Sequence, residues 1–381
     1  MFYLILFFAI LVLYLSFPQQ KEKALIFSMI LLFIPWGLQF EMVQDWTANY
    51  SRWHIVNNLN QTAQYGNREI EVGYVWLLRF AKPLGFFGYL MACAIIELCI
   101  IGIFIKRYVR PQFYWLAIMV LMLNPNYGML IINSNRQSVT LTLTLIAVFI
   151  IFESKRISFL KNIPQYVIYI LTTILIGIST QIHSGSYSAF VLLAIFILAR
   201  YYKGEKLLWM FIVCNLLYFG RYFIDSSHWQ TLVSSQWTFL GVEGFDSYIE
   251  ELDNSIRKYS IVEQFIWIFF MNSAIYFYKK MDLPQRFFML CLIIGFLGDG
   301  YLIRTIARIL IYFNIFTIFA IPEIIRQWSR VKNQRIKESS KFIFIVSIAY
   351  LFFMFYKSQT KGVYYERWAD FQTVFSAPLW L

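Results

Sequence analysis

The sequence predicts an all-α protein: a polytopic transmembrane helical bundle of about twelve spans, with interfacial helices and loops on its outer side. Hydrophobic residues make up 59% of the chain, charged residues only 14%, and the mean hydropathy is +0.58. This composition is typical of a bilayer protein. The chain also contains many apolar stretches near the roughly 17 to 25 residues that cross a hydrocarbon core. We therefore predict one integral membrane domain over residues 1–381.

Twelve predicted spans follow one another along the chain, and several are short for a membrane crossing. The first begins directly after Met1 with no basic segment and no cleavage site, so we expect it to be retained rather than removed as a signal peptide. All four cysteines lie inside spans and predict neither disulfides nor a metal site. The predicted spans are about 2–17, 24–40, 87–105, 113–130, 136–152, 165–182, 185–201, 206–219, 261–278, 286–298, 301–320 and 342–357.

The charged residues between the spans predict the orientation of the chain. Assigning alternate loops to the cytoplasm places 20 of the 33 lysines and arginines there, and cytoplasmic loops are enriched in these residues. Both termini then lie outside, and residues 72–86 form an interfacial or re-entrant helix instead of a span. The outer segments are about 41–71, 220–260 and 358–381, and the main basic inner loop is about 321–341.

The net charge of +12 is explained by this orientation and by attraction to the anionic inner leaflet. It does not indicate nucleic acid as a partner, because no nucleic-acid-binding module is recognisable. The sequence also has no glycine-rich phosphate loop after a strand, no paired-cysteine motif and no HExxH motif. It therefore predicts neither ATP-driven chemistry nor a metal or other cofactor.

The first outer segment predicts a helix that lies in the membrane interface. One face is polar, and another is aromatic and would anchor the helix at headgroup depth. The polar face consists of Asp45, Asn49 and Arg52, and the aromatic face of Trp46, Tyr50 and Trp53.

Glu71 follows in the sequence EVGYVWLL, where it begins an apolar helix. A carboxylate in a first helical turn is favoured by the helix dipole. Capping of the helix and a functional role therefore both explain this residue.

Arg136 lies where a cation is unfavourable. In IINSNRQSVTLTLTL, the Asn and Ser residues at 133–135 are good N-caps, which places Arg136 and Gln137 in the first turn of a span that enters from outside. The helix dipole disfavours a positive charge there. A bound anion, held by the guanidinium and by backbone N–H groups, would remove this conflict.

Two further segments carry polar groups near outer helix ends. His183 precedes SGSYSAF and marks an outer turn between two spans, where packing and function explain it equally well. Arg304 and Arg308 share one face of an apolar helix in GYLIRTIARILIYF, and a charge at the bilayer centre costs about 2.5 to 3.5 kcal/mol. One explanation is a purely structural pair with Asp299 or Glu97. Two arginines on one face favour a multiply charged ligand such as pyrophosphate.

In their order along the chain, these motifs resemble those of the EpsG family of Wzy-type polysaccharide polymerases. The resemblance extends over about residues 40–325. The matching residues are Asp45, Trp46 and Tyr50, then Glu71, Gly73 and Tyr74, then Asn135, Arg136 and Gln137, then His183 and Ser184, and finally Arg304, Arg308 and Tyr312.

The resemblance implies a membrane-embedded glycosyltransferase of the GT-C type in the bacterial inner membrane. Such an enzyme joins undecaprenyl-pyrophosphate-linked oligosaccharide repeat units at the periplasmic or outer face, without a cofactor. A chain-length regulator protein is an expected partner. The residues expected to bind pyrophosphate are Arg136, Gln137, Arg304 and Arg308, and those expected to bind the substrate are Tyr50, Tyr74 and Tyr312. The alternative bases for the acceptor hydroxyl are Asp45, Glu71 and His183. Of these we favour a carboxylate as the base, with His183 contacting the phosphate or the acceptor and Arg136 also in a catalytic role.

Three other functions fit the same sequence. A flippase for lipid-linked oligosaccharides would have cations along a central passage. A ligase that transfers finished polymer to lipid A core is also an outer-face glycosyltransferase. A non-catalytic scaffold would bind assembly partners through its outer loops.

Overall fold

The computed structural model describes residues 2–38, 44–56, 64–65, 68–123, 135–220, 261–300 and 310–360. These segments are almost entirely helical, which confirms the predicted all-α class. The exception is an antiparallel ribbon of two residues a strand, β1 (Gln64–Tyr65) and β2 (Arg68–Glu69).

Most of the predicted spans overlap helices of the described residues, although several ends differ. In chain order the helices are α1 (Phe2–Ser16), α2 (Lys21–Gly37), α3 (Gln44–Ile55), α4 (Val72–Ala81), α5 (Gly85–Tyr108), α6 (Tyr114–Leu123), α7 (Asn135–Glu153), α8 (Gln165–Ile182), α9 (Ala189–Tyr201), α10 (Leu207–Gly220), α11 (Ile261–Phe277), α12 (Leu283–Gly300), α13 (Thr317–Ser329) and α14 (Gln334–Thr360). Short 3₁₀ turns cover Lys82–Leu84, Pro111–Phe113, Ser184–Ser188 and Tyr278–Lys280.

Within the described ranges, six continuous helical stretches are long and apolar enough to cross a membrane, by length and composition. They are Val72–Tyr108, Arg136–Glu153, Gln165–Ile182, Ser184–Tyr201, Ile261–Lys280 and Leu310–Ser329. Four shorter apolar helices accompany them, at Ile5–Ser16, Pro111–Leu123, Leu207–Gly220 and Leu283–Gly298. The chain is thus a multi-pass membrane protein, and the count of about twelve spans stays a prediction.

Large apolar side chains point outward from these helices. On α10, Leu208 is 70% exposed and Trp209 is 65% exposed, and on α4 Phe80 is 87% exposed. Apolar surface of this kind is unfavourable in water, but it is the expected surface of a helix that faces lipid.

The chain divides into two compact units, residues 1–190 with 351–381, and residues 191–350. In the first unit, α5 packs against α2 and α7, and α7 packs along α8. In the second unit, α12 and α13 pack together, and Asn215 of α10 and Asn272 of α11 exchange side-chain hydrogen bonds of 2.8 and 3.3 Å. The prediction of one domain over the whole chain stays a prediction.

The segment predicted as the inner loop 321–341 is mostly helical. Helix α13 continues to Ser329 and α14 begins at Gln334. One of the charges that suggested a loop is neutralised inside α13, because the buried side chains of Glu323 and Arg326 form an ion pair within one helical turn. A charged pair of this kind lets a helix continue where hydropathy alone predicts its end.

The segment 72–86 forms α4 and a 3₁₀ turn before α5 begins. Ten residues of α-helix are about 15 Å long, roughly half of a hydrocarbon core, so α4 is too short to cross by itself. Gly85 follows the 3₁₀ turn with a φ of 70°, in the left-handed region that glycine adopts without strain. Helix α4 packs against α8.

Helix α3 forms where the outer interfacial helix was predicted, but its aromatic face packs inside the protein. The rings of Trp46 and Trp53 are almost fully buried, and both contact Phe86 at the start of α5. Lys82 donates a hydrogen bond to the carbonyl oxygen of Trp53 and lies 4.5 Å from the centre of its ring. A helix with one aromatic face fits a lipid interface and a protein partner equally well, and here the partner is α5.

The basic and acidic side chains at one end of the first unit join its helices. Lys106 pairs with Glu22 at 2.9 Å, and Arg107 pairs with Glu153 at 2.9 Å. These contacts bring together the start of α2 and the ends of α5 and α7. Because α7 has 19 residues, its other end, at Asn135, lies about 28 Å away.

Candidate functional site

Three helix ends meet at the Asn135 end of α7. Glu71 immediately precedes α4, Arg136 lies in the first turn of α7, and His183 follows the last residue of α8. Their side chains form one cluster, in which Glu71 contacts both Arg136 and His183. The structure therefore brings together three residues that the sequence predicted from three separate motifs.

The contact between Glu71 and Arg136 is a direct ion pair. Nη1 of Arg136 donates to Oε2 of Glu71 at 2.5 Å, and the two side chains are 23% and 25% exposed. The sequence predicted an anion at this unfavourable position for a cation. In this structure the anion is a carboxylate of the chain itself.

The carboxylate of Glu71 does not cap α4. Glu71 occupies the N-cap position, but its side chain makes no capping hydrogen bond. Burial raises the pKa of Glu71, while the imidazole of His183 and the positive charge of Arg136 lower it by more, so that the pKa falls from 4.5 to about 2. Glu71 is therefore ionised at neutral pH.

The imidazole of His183 lies between Glu71 and a glycine. Its Nδ1 is 3.7 Å from Oε1 of Glu71, which is beyond direct hydrogen-bond distance. On the other side of the ring, a Cβ atom built on Gly185 would lie 2.9 Å from Nε2. The turn that carries the ring is fixed by Ser186, whose N–H and hydroxyl both donate to the carbonyl oxygen of His183, at 3.0 and 2.7 Å.

Tyr74 and Gln137 are both buried around this cluster. The ring of Tyr74 is fully buried, and the Arg136 guanidinium lies 5.5 Å from its centre, a distance at which a cation is attracted to an aromatic face. Gln137 is 2% exposed. The ring of Tyr74 thus helps to hold the Arg136 guanidinium in place.

A family model described as the EpsG family matches residues 22–373, nearly the whole chain. The chain belongs to the EpsG family. Members of this family are Wzy-like polymerases, so the chain is a polysaccharide polymerase-type membrane protein. A comparison with curated proteins and one with solved structures gave no match.

Of the other predicted site residues of this EpsG-family chain, only the side chains of Tyr50 and Tyr312 belong to the described part of the structure. Asp45 belongs to α3, but its side chain is outside the described part of the chain. Tyr50 is half-buried and stacks on Trp46 with ring centres 5.1 Å apart. Arg304 and Arg308 lie outside the described residues. Tyr312 is fully buried in the second unit.

A buried carboxyl group near the site was not predicted as part of it. Ser138 of α7, two residues after Arg136, donates a 2.7 Å hydrogen bond to Oε2 of Glu97 on α5. Glu97 is 2% exposed, and its Oε1 has no hydrogen-bond partner among the described residues. The sequence feature that could have indicated Glu97 is an acidic residue inside an apolar span, which is costly without a specific partner.

A metal site is not visible in the described segments, where no three His, Cys, Asp or Glu side chains are grouped so that they could hold an ion. The expectation that this EpsG-family chain uses no metal or other cofactor stays a prediction.

Replacing Glu71 by Gln is expected to destabilise the protein in a pH-dependent way. Because the pKa of Glu71 is lowered from 4.5 to about 2, its ionised form stabilises the fold above pH 4.5, and this contribution is lost as the pH falls through about 2. The size of the shift corresponds to about 3 kcal/mol. Thermal unfolding of the wild type and of Glu71→Gln in detergent, between pH 7 and pH 3, measures the difference.

The matched control for this measurement is Glu338→Gln, which removes a carboxylate that is paired with Lys341 at an exposed position. An exposed pair contributes little, so this variant should unfold like the wild type. A gap between wild type and Glu71→Gln that stays constant across the pH range would contradict the assigned role of the Glu71 charge.

Proposed function

We propose that this chain is a GT-C-type glycosyltransferase that joins undecaprenyl-pyrophosphate-linked oligosaccharide repeat units at the outer face of the bacterial inner membrane. The cluster of Glu71, Arg136 and His183 at the meeting point of three helix ends is the observation that carries the proposal. Membership of the EpsG family supports the class of reaction. The geometry of the cluster supports the roles of its residues.

The charge distribution supports an outer location for this cluster. The opposite end of α7 is followed by Lys155 and Arg156, and the end of α5 beside it carries Lys106 and Arg107. Lysine and arginine are enriched on the cytoplasmic side of membrane helices. The end of α7 that carries Arg136 then faces outward.

Arg136 would bind the pyrophosphate of the donor. A guanidinium has five N–H donors, and Glu71 contacts it through Nη1, so further donors can reach a phosphate oxygen. The start of α7 adds backbone N–H groups and the positive end of the helix dipole. This charge would stabilise undecaprenyl pyrophosphate as it leaves.

His183 would act as the base. A carboxylate with a pKa of about 2, such as Glu71, is a poor proton acceptor at neutral pH. Glu71 faces Nδ1 of His183 and would orient the ring and stabilise its protonated form, as a carboxylate does beside a catalytic histidine. This proposal departs from the carboxylate base favoured from the sequence: of the three candidate bases, the geometry supports His183, with Glu71 as its orienting partner.

The reaction follows from these roles. A hydroxyl at the non-reducing end of one repeat unit attacks the anomeric carbon of the growing chain, and its proton passes to Nε2 of His183. The bond between the anomeric carbon and the pyrophosphate oxygen breaks, and the electron pair leaves with undecaprenyl pyrophosphate beside Arg136. The product is a chain that is longer by one repeat unit on the remaining lipid carrier.

The test of this function is polymer formation by the purified protein. Proteoliposomes that contain only this chain and lipid-linked repeat units should produce a ladder of chains that differ by one repeat unit, together with free undecaprenyl pyrophosphate. A flippase or a scaffold would give no ladder. A ligase would transfer sugar only when lipid A core is added, so either result would overturn the proposal.

A further inference from the structure

A close contact between α4 and α8 lies directly beside the cluster. Gly73 is in the first turn of α4, two residues after Glu71, and it packs on the backbone of Gln181, two residues before His183. A Cβ atom built on Gly73 would lie 2.7 Å from both the carbonyl carbon and the carbonyl oxygen of Gln181, and 2.8 Å from its Cβ. Real Cβ atoms essentially never approach other atoms this closely.

The lack of room for a side chain, and not the backbone conformation, explains why a glycine occupies position 73. Among the described residues, the glycines with positive φ are Gly85 and Gly204, so Gly73 has a conformation that alanine also adopts. Glycine is about 1 kcal/mol less favourable than alanine in a helix. The weakening of α4 by Gly73 is therefore offset by the close contact between α4 and α8 that the glycine permits.

We infer that Gly73 is a positioning residue for this site: the missing side chain lets the start of α4 approach the end of α8 closely enough to hold Glu71 beside His183. Gly73 lies two residues from Glu71, and Gln181 lies two residues from His183. A wider separation of α4 and α8 would therefore also lengthen the distance between Glu71 and His183. The atoms that an added Cβ would meet belong mainly to the backbone, and they cannot rotate away as a side-chain end can. The inference rests on the proposed role of His183 as base.

Gly73→Ala is expected to lower kcat for repeat-unit joining by about 10- to 100-fold, the cost of a small misplacement of a catalytic group. KM for the lipid-linked repeat unit should stay within about 2-fold, because Arg136 and the start of α7, the proposed contacts of the pyrophosphate, are not on the displaced helix. The acidic limb of the pH–rate profile should move to lower pH, because a more distant Glu71 carboxylate stabilises the protonated imidazole less. The charged groups around His183 include Glu71, which faces its ring, and Arg136, which contacts Glu71.

The matched control is Gly177→Ala in α8, where an added Cβ would meet nothing within 4 Å. This variant should keep the wild-type kcat, KM and pH profile. A Gly73→Ala protein whose rate per molecule and pH profile equal those of Gly177→Ala would overturn the inference, even if less of it accumulates, because the glycine would then serve packing alone.

A second variant enlarges the same gap without changing Gly73. Glu71→Asp shortens the side chain by one methylene group and is expected to lower kcat and to move the acidic limb in the same direction. An unchanged profile for Glu71→Asp would show that the spacing does not matter and would also overturn the inference. Failure of the wild-type protein to form any polymer would instead overturn the proposed function, so the two failures are distinguishable.

Discussion

Arg136→Ala should reduce the rate of repeat-unit joining by about 10²- to 10³-fold, as the loss of one group that stabilises a leaving anion does in other enzymes. Arg136→Lys should also be impaired, because an ammonium keeps the positive charge but lacks the planar fork that holds two oxygens. The measurement is polymer formed per molecule of protein in membranes, with protein levels determined in parallel. Near-normal chain formation by both variants at equal levels would exclude the pyrophosphate role.

Arg156→Ala is the matched control for charge removal. Arg156 follows the other end of the same helix, and its side chain is 66% exposed, so its loss should leave polymer formation unchanged. The comparison separates a requirement for positive charge on α7 in general from a requirement at the end where Glu71 and His183 lie.

A double substitution separates binding of the donor from neutralisation of Glu71. Arg136→Ala leaves the partly buried Glu71 carboxylate without its charge partner, which is destabilising in itself. Removal of the charge as well, in Arg136→Ala with Glu71→Gln, should restore thermal stability but not polymer formation. Recovery of both would show that Arg136 only compensates Glu71, and the pyrophosphate role would be lost.

His183→Ala is expected to lower kcat by about 10²- to 10⁴-fold, the usual contribution of a general base. The remaining rate should lose the acidic limb of the pH profile, because no imidazole is left to be protonated. KM for the donor should change little, since Arg136 and the start of α7 are intact. Single-turnover rates with purified protein, measured from pH 5 to pH 9, test both expectations.

His54→Ala provides the control for histidine removal. His54 lies on α3, is exposed, and contacts the ring of Tyr50. Its loss should leave both the rate and the pH profile as in the wild type. If His183→Ala keeps the acidic limb, another group takes the proton, and Asp45 becomes the base to examine by Asp45→Asn.

Local features of the site could be predicted from the sequence because they depend on neighbouring residues. The caps at 133–135 placed Arg136 in a first turn, and α7 indeed begins at Asn135. The polar turn after α8 placed His183 at a helix end, as the structure shows. Hydropathy and capping need no knowledge of distant parts of the chain.

Features that depend on tertiary contacts could not be predicted. Glu71 and Arg136 are 65 residues apart in sequence, and neither motif indicates that the other is its partner. The prediction that Tyr74 binds substrate stays a prediction. Its ring lies beside the Arg136 guanidinium, a contact that an aromatic residue next to a polar motif does not by itself indicate. The aromatic face of α3 likewise does not distinguish a lipid from a protein partner.

Under the proposed function, the carboxylate of Glu71 would also affect release of the product. It neutralises part of the positive charge of Arg136 through Nη1, while a diphosphate would bind the remaining N–H donors. An arginine without this neighbour would hold a diphosphate product more tightly and slow the next round of elongation. The carboxylate would therefore moderate the affinity of Arg136, so that the spent carrier lipid can dissociate.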